Sequence, residues 1–183
     1  PIVDRLAAVP SLGIIRVCSR APVFEPSRIT EACAERLGRC EKTWFMTHFN
    51  HPRELTADSL EACRRLRANG IPVLNQTVLL KGVNDDPVLL ADFFHELAAH
   101  RILPHYLFHI DPIRGVAHFA TGMKKGLEIM EYFRKHLSSV ATPVFALDLP
   151  EGGGKVHLFP DYSAGEEQLF FGLDGKKIRH PLA

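Results

Sequence analysis

Apolar, β-favouring runs recur along the chain at Gly13–Ser19, Trp44–Phe49, Val73–Leu79, Leu103–His109 and Pro143–Asp148, and helix-period segments separate them. Thr56 is placed to cap a helix that carries Asp58 in its first turn, Leu60, Cys63 and Leu66 on one side, and Gly70 at its end. Asp86-Pro87 reads as a cap followed by proline at the first helical position. Leu90, Phe93, Phe94, Leu97 and Ala98 then repeat as one buried stripe. A further helix is predicted from Lys124 to Leu137, with Leu127, Met130 and Phe133 inward.

Strand–helix alternation of this kind implies parallel strands joined by crossover helices. Such a sheet needs both faces covered or closure into a barrel, and five strands cannot close the standard eight-stranded one. The expectation is an α/β fold, a partial (βα) barrel or open sheet. After Lys155 the sequence turns Gly-rich and aromatic. Gln168–Gly172 and Lys176–Arg179 read there as a short hairpin around Asp174-Gly175. Residues 1–183 are expected to form one unit.

Composition narrows the classes. Hydrophobic residues make up 46% and charged residues 23%, which argues against disorder. A net charge of +1 argues against a polybasic surface for nucleic acid or membrane. No apolar run reaches the ~20 residues of a membrane span, and no secretory signal is visible, so a soluble cytoplasmic protein is expected. The chain opens at Pro1 without an initiator Met, which leads to the expectation that processing or truncation removed what came first. Cys18, Cys33, Cys40 and Cys63 include no CxxC pair, so they read as reduced thiols and no metal site is assigned.

The polar residues fall where parallel α/β folds bind ligands, at the carboxyl ends of strands. His48 lies in Thr47-His48-Phe49-Asn50-His51-Pro52, Asn75-Gln76 interrupts an apolar run, Asp111 follows the fourth strand, and Asp148 ends the fifth. Each has a plainer reading: a satisfied core histidine, a loop tie, a turn residue, an ion pair. Their recurrence at the same end of successive strands favours a common ligand. Lys155 follows Gly152-Gly153-Gly154, and Val156 stands where a phosphate-binding GxxxxGK[ST] loop needs Ser or Thr. A lysine in a partly desolvated site suits Schiff-base chemistry instead, although the glycines alone also suit a simple hairpin.

The runs THFNHPREL (Thr47 to Leu55), NQTVLLKGVND (Asn75 to Asp85) and DLPEGGGK (Asp148 to Lys155), with Asp111, Gly115-x-x-His118-Phe119 and RVCSRAPVFEPSRIT (Arg16 to Thr30), resemble the lysine 2,3-aminomutase family. The resemblance runs in register from about Ile14 onward. It implies the carboxyl-terminal part of an S-adenosylmethionine radical enzyme that uses pyridoxal 5′-phosphate to move an α-amino group to the β-carbon. It implies Lys155 as the lysine joined to pyridoxal phosphate, His48 and Gln76 as lining the S-adenosylmethionine pocket, and Asp111 and Asp148 as holding the distal ammonium of a lysine substrate. A small-molecule amino acid is the implied partner, without nucleic acid or membrane, and a homo-oligomer is left open.

Departures accompany the match. The family's CxxxCxxC motif for a 4Fe-4S cluster is absent, as is the arginine-rich stretch after it, so cluster ligands are expected outside this chain and the fragment alone is expected to be inactive. Asp86 stands where some relatives have a zinc-binding Cys, and Glu151 replaces a glycine of the usual GGGGK run. Two other readings remain: a Schiff-base enzyme without iron–sulfur chemistry, and a non-catalytic barrel fragment.

Overall fold

A computed structural model describes residues 2–166 and 168–181, so the two ends of the expected 1–183 unit lie outside the described residues. Five strands pair in parallel and in chain order: β1 (Ile15–Cys18), β2 (Thr43–Thr47), β3 (Val73–Leu79), β4 (Leu103–His109) and β5 (Val144–Leu149). Helix α1 (Ile2–Ala7) precedes them, and α2 (Ala21–Phe24) with α3 (Glu31–Gly38) links β1 to β2. The next crossovers are α4 (Ala57–Ala68), α5 (Pro87–Ala99) and α6 (Met123–His136). The sheet curls into the expected partial barrel.

One strand was not expected. β6 (Gly154–His157) adds to the edge of β5, and it runs antiparallel. A parallel neighbour needs a crossover of a dozen or more residues, and only a short turn separates Leu149 from Gly154, so a hairpin is the available connection. Lys155 therefore stands on a strand rather than on the bend. The expected terminal hairpin forms separately from β7 (Leu169–Phe171) and β8 (Lys177–Arg179).

Period-two alternation divides each strand between two faces. Along β3, Val73, Asn75, Thr77 and Leu79 are buried under the helices, while Leu74, Gln76 and Val78 between them are only partly covered. α5 supplies Leu90, Phe93, Phe94 and Leu97 to that core, and α6 supplies Ile129, Met130 and Phe133. Phe94 meets Phe133 edge-on, with ring centroids 5.5 Å apart, a favourable aromatic geometry. Gly126 lets α6 close on β5, because a Cβ there would overlap the ring of Phe145.

The helix starts follow their caps. Thr56 Oγ1 accepts from the Ser59 amide at 3.2 Å and Asp86 Oδ1 from the Leu89 amide at 2.8 Å. Asp86 thus has a structural role as a helix cap. Gly70 takes φ +77° just past α4, a conformation open to glycine at little cost. No helix among the described residues is long and apolar enough to cross a membrane.

Candidate active site

Alternation on the strands assembles the site. Residues one step out of phase with the buried set share the face away from the helices; there Gln76, Asp148 and Lys155 from the strands, with His48 and Asp111 from the loops just past β2 and β4, line one cavity of about 380 Å³, so all five expected residues meet. That volume lies at the small end of the range for small-molecule pockets. Arg16, Tyr106 and Phe108 line it too.

Lys155 and Asp148 are direct cross-strand partners in the β5–β6 register. The Lys155 Nζ donates to Asp148 Oδ1 at 2.6 Å and sits 3.9 Å from the ring centroid of Phe108 and 5.1 Å from that of Tyr106. A cation over two aromatic faces beside a carboxylate is held by charge and by ring quadrupole together. The side chains stay 30% and 47% exposed, so water screens the pair. Glu151, in the turn that brings Lys155 back, adopts φ +57°. The backbone keeps a conformation suited to glycine although the side chain is not glycine, at a cost of roughly 1 kcal/mol.

His48 is fixed from several sides. Its carbonyl accepts from Arg20 Nε at 3.1 Å, and Arg20 Nη2 reaches Glu54 Oε1 at 3.1 Å. Glu54 Oε2 in turn accepts the amides of Asn50 and His51, closing the loop on itself. Asn50 Oδ1 accepts from the Val78 amide at 2.9 Å, which determines the amide's orientation, and it lies 3.0 Å from His48 Nε2. His48 Nε2 is therefore the donor, which leaves Nδ1 as the acceptor of a neutral ring. Burial, reinforced by the Arg20 charge, lowers the His48 pKa from its ordinary value and favours that neutral form.

Asn75 and Gln76 part company. Gln76 lines the cavity, whereas Asn75 is buried on the helix side. Asn75 Oδ1 accepts from the Phe49 amide at 2.7 Å, and its Nδ2 donates to the Phe49 carbonyl at 3.0 Å and to Thr77 Oγ1 at 2.8 Å. Tying down a loop is the reading the structure supports for Asn75. Asn84 completes the brace: Nδ2 donates to the carbonyls of Asn50 and Val78 at 2.8 and 2.9 Å, and Oδ1 accepts from the Leu80 amide at 2.7 Å. Asp111 lies in the exposed loop after β4, and its carboxylate makes no ion pair with the described residues.

Sequence reasoning did not single out Arg16, Tyr106 or Phe108. Arg16 carried a signal, a charge inside an apolar run; the two aromatics carried none that separates a cavity wall from a core. Among the described residues no group of three or more His, Cys, Asp or Glu side chains is placed to hold a metal ion, and the four cysteines are free thiols.

No protein-family model matches the chain. Curated relatives do. "Putative L-lysine 2,3-aminomutase" of Aquifex aeolicus is 48% identical over 99% of this chain and half of its own length. L-lysine 2,3-aminomutase of Fusobacterium nucleatum is 42% identical over 88% of the chain and 38% of its own length. The chain belongs to the lysine 2,3-aminomutase family. The chain is also similar to glutamate 2,3-aminomutase of Clostridioides difficile, at 39% identity over 97% of the chain and 43% of the length of that protein. The chain spans half or less of the length of these aminomutases.

Proposed function

We propose that the intact protein, of which residues 1–183 form the carboxyl-terminal part, is an isomerase that moves the α-amino group of a basic amino acid to its β-carbon, as from L-lysine to L-β-lysine. The cofactors of this reading are pyridoxal 5′-phosphate, S-adenosylmethionine and a 4Fe-4S cluster whose ligands lie outside this chain. The observation that carries it is the convergence of Lys155, Asp148, Asp111, His48 and Gln76 on one cavity.

The residues present suit pyridoxal phosphate. Lys155 offers an amine within a partly covered pocket, beside the flat faces of Phe108 and Tyr106, and Arg16 brings a cation suited to a phosphate into the same cavity. Lys155 would hold the aldehyde carbon through its amine. When bound, the cofactor supplies an unsaturated C=N centre able to accept a migrating radical.

The chain's own residues orient and select. Asp148 holds the Lys155 nitrogen at the cavity wall. Neutral His48, braced by Asn50 and Arg20, offers a fixed hydrogen-bond acceptor, and Gln76 presents both a donor and an acceptor. Together they suit a polar cofactor such as S-adenosylmethionine. With the Lys155 amine engaged by the cofactor and no longer a cation for Asp148, Asp111 and Asp148 would put two carboxylates in one cavity, an arrangement that a cationic substrate side chain relieves and an anionic one worsens. That charge pattern favours lysine over glutamate. Phe108 and Val78 give the cavity an apolar stretch of wall.

The test uses the full-length protein. It is incubated with pyridoxal phosphate, reduced with borohydride and digested, and the modified lysine is mapped; Lys155 is the expected site. Labelling at another lysine overturns the assignment. For the substrate, lysine turnover is expected to be lost in an Asp111→Lys variant. Glutamate turnover by the unmodified protein, with lysine activity kept in that variant, refutes the basic-substrate reading.

A further inference from the structure

A second cavity, of about 450 Å³, lies at the opposite end of the parallel strands, where β3 and β4 begin. Its wall is basic. Arg64 and Arg67 come from the end of α4, and Arg101 comes from the turn between α5 and β4. The guanidinium of Arg64 is engaged, with Nε and Nη2 donating to the two oxygens of Glu61 at 2.6 and 2.9 Å. Neither Arg67 nor Arg101 has an acidic partner among the described residues, and the Nε of Arg67 is buried without a hydrogen bond.

Basic residues in a helix's last turn complement its dipole, which accounts for Arg67 being basic. The dipole does not account for Arg101, which reaches the same cavity from another element. Two guanidinium groups without acidic partners on one wall repel each other, and an anion between them removes that cost. Burial foremost, with repulsion from Arg101 and Arg64, lowers the Arg67 pKa, and an anion between the guanidinium groups would offset that repulsion.

We propose that this cavity binds a small, multiply charged oxyanion of the phosphate class, with Arg67 and Arg101 as its donors. A planar guanidinium fork matches the oxygen spacing of a phosphate, and two forks from different elements give a site built for more than one negative charge. The site lies away from Lys155 and does not depend on the aminomutase reading.

Limited phenylglyoxal modification of the full-length protein, mapped by peptide mass spectrometry, tests it. Inorganic pyrophosphate is expected to slow modification of Arg67 and Arg101 while leaving exposed Arg28 unchanged. In titration calorimetry, the Arg67→Gln, Arg101→Gln double variant is expected to bind pyrophosphate at least about tenfold more weakly. Arg101→Gln alone, a change at an exposed position, gives the same direction should the double variant fail to fold. Equal modification rates with and without pyrophosphate overturn the proposal. So does protection confined to Arg16 at the other cavity, or equal protection by chloride at matched ionic strength. Protection by citrate and not by pyrophosphate overturns the phosphate class.

Discussion

Asn84 supports the candidate site without lining it, so its replacement tests how the loop around His48 is held. The side chain is buried and makes three hydrogen bonds to backbone groups: the Leu80 amide and the carbonyls of Asn50 and Val78. Asn84→Ala removes all three and leaves their partners facing an apolar methyl. At about 1 kcal/mol of net value per bond, plus part of the penalty for stranded groups, the expected loss is about 3 kcal/mol. Asn84→Asp has nearly the same shape and keeps the acceptor for Leu80, yet it turns a carboxylate oxygen toward two carbonyl oxygens. An uncompensated buried charge costs more than the missing bonds, so Asp is expected to destabilise more than Ala at neutral pH. The introduced carboxyl would have a pKa raised by burial, so the gap should narrow as pH falls and it gains a proton to donate. Urea denaturation of the full-length protein, at neutral and mildly acidic pH, gives both quantities. A loss below ~1 kcal/mol for Ala, or an Asp variant more stable than Ala at neutral pH, refutes the brace.

Three other outcomes are expected. The histidine NMR titration of His48 should have its midpoint below the ordinary 6.5, because burial and Arg20 disfavour the charged ring. The folded state then binds fewer protons than the unfolded one, so His48 contributes stability above pH 6.5 that is lost as pH falls from there toward its folded value; a midpoint at or above 6.5 contradicts this. Iodoacetamide should label exposed Cys18 early and Cys63 last, since burial pushes the Cys63 thiol up to about 12; early labelling of Cys63 in folded protein would show the core open there. Gly126→Ala gains at most about 1 kcal/mol in helix propensity and should lose more than that to overlap with the buried Phe145 ring, giving a net loss of about 1 kcal/mol or more; a raised melting temperature would refute the close approach of α6 to β5.

Much of the frame was legible in the residues. The five apolar runs became five parallel strands in chain order, and caps at Thr56 and Asp86 began helices where expected, because hydrophobic period and capping chemistry are local. The terminal hairpin was legible for the same reason: Gly175 takes φ +77° between its two strands. The sixth strand was not, since Gly154–His157 is short and exposed and has no apolar alternation of its own. Its conformation comes from pairing with β5.

The sequence by itself determined which residue types gather at the carboxyl ends of the strands, and the motifs that carry the family. Tertiary structure alone decided which of them meet. Adjacent Asn75 and Gln76 look alike in the chain, yet the pleat sends one into the core, where it bonds the Phe49 backbone, and the other to the cavity. Asp148 and Lys155 become partners only because a tight turn folds β6 back in a register that sets them opposite each other. Phe108 and Tyr106, ordinary strand aromatics by sequence, form the wall under that amine because the sheet brings β4 alongside β5. Local propensity acts over a few residues; cross-strand register is set by pairing between segments, and that pairing determines which side chains share a cavity.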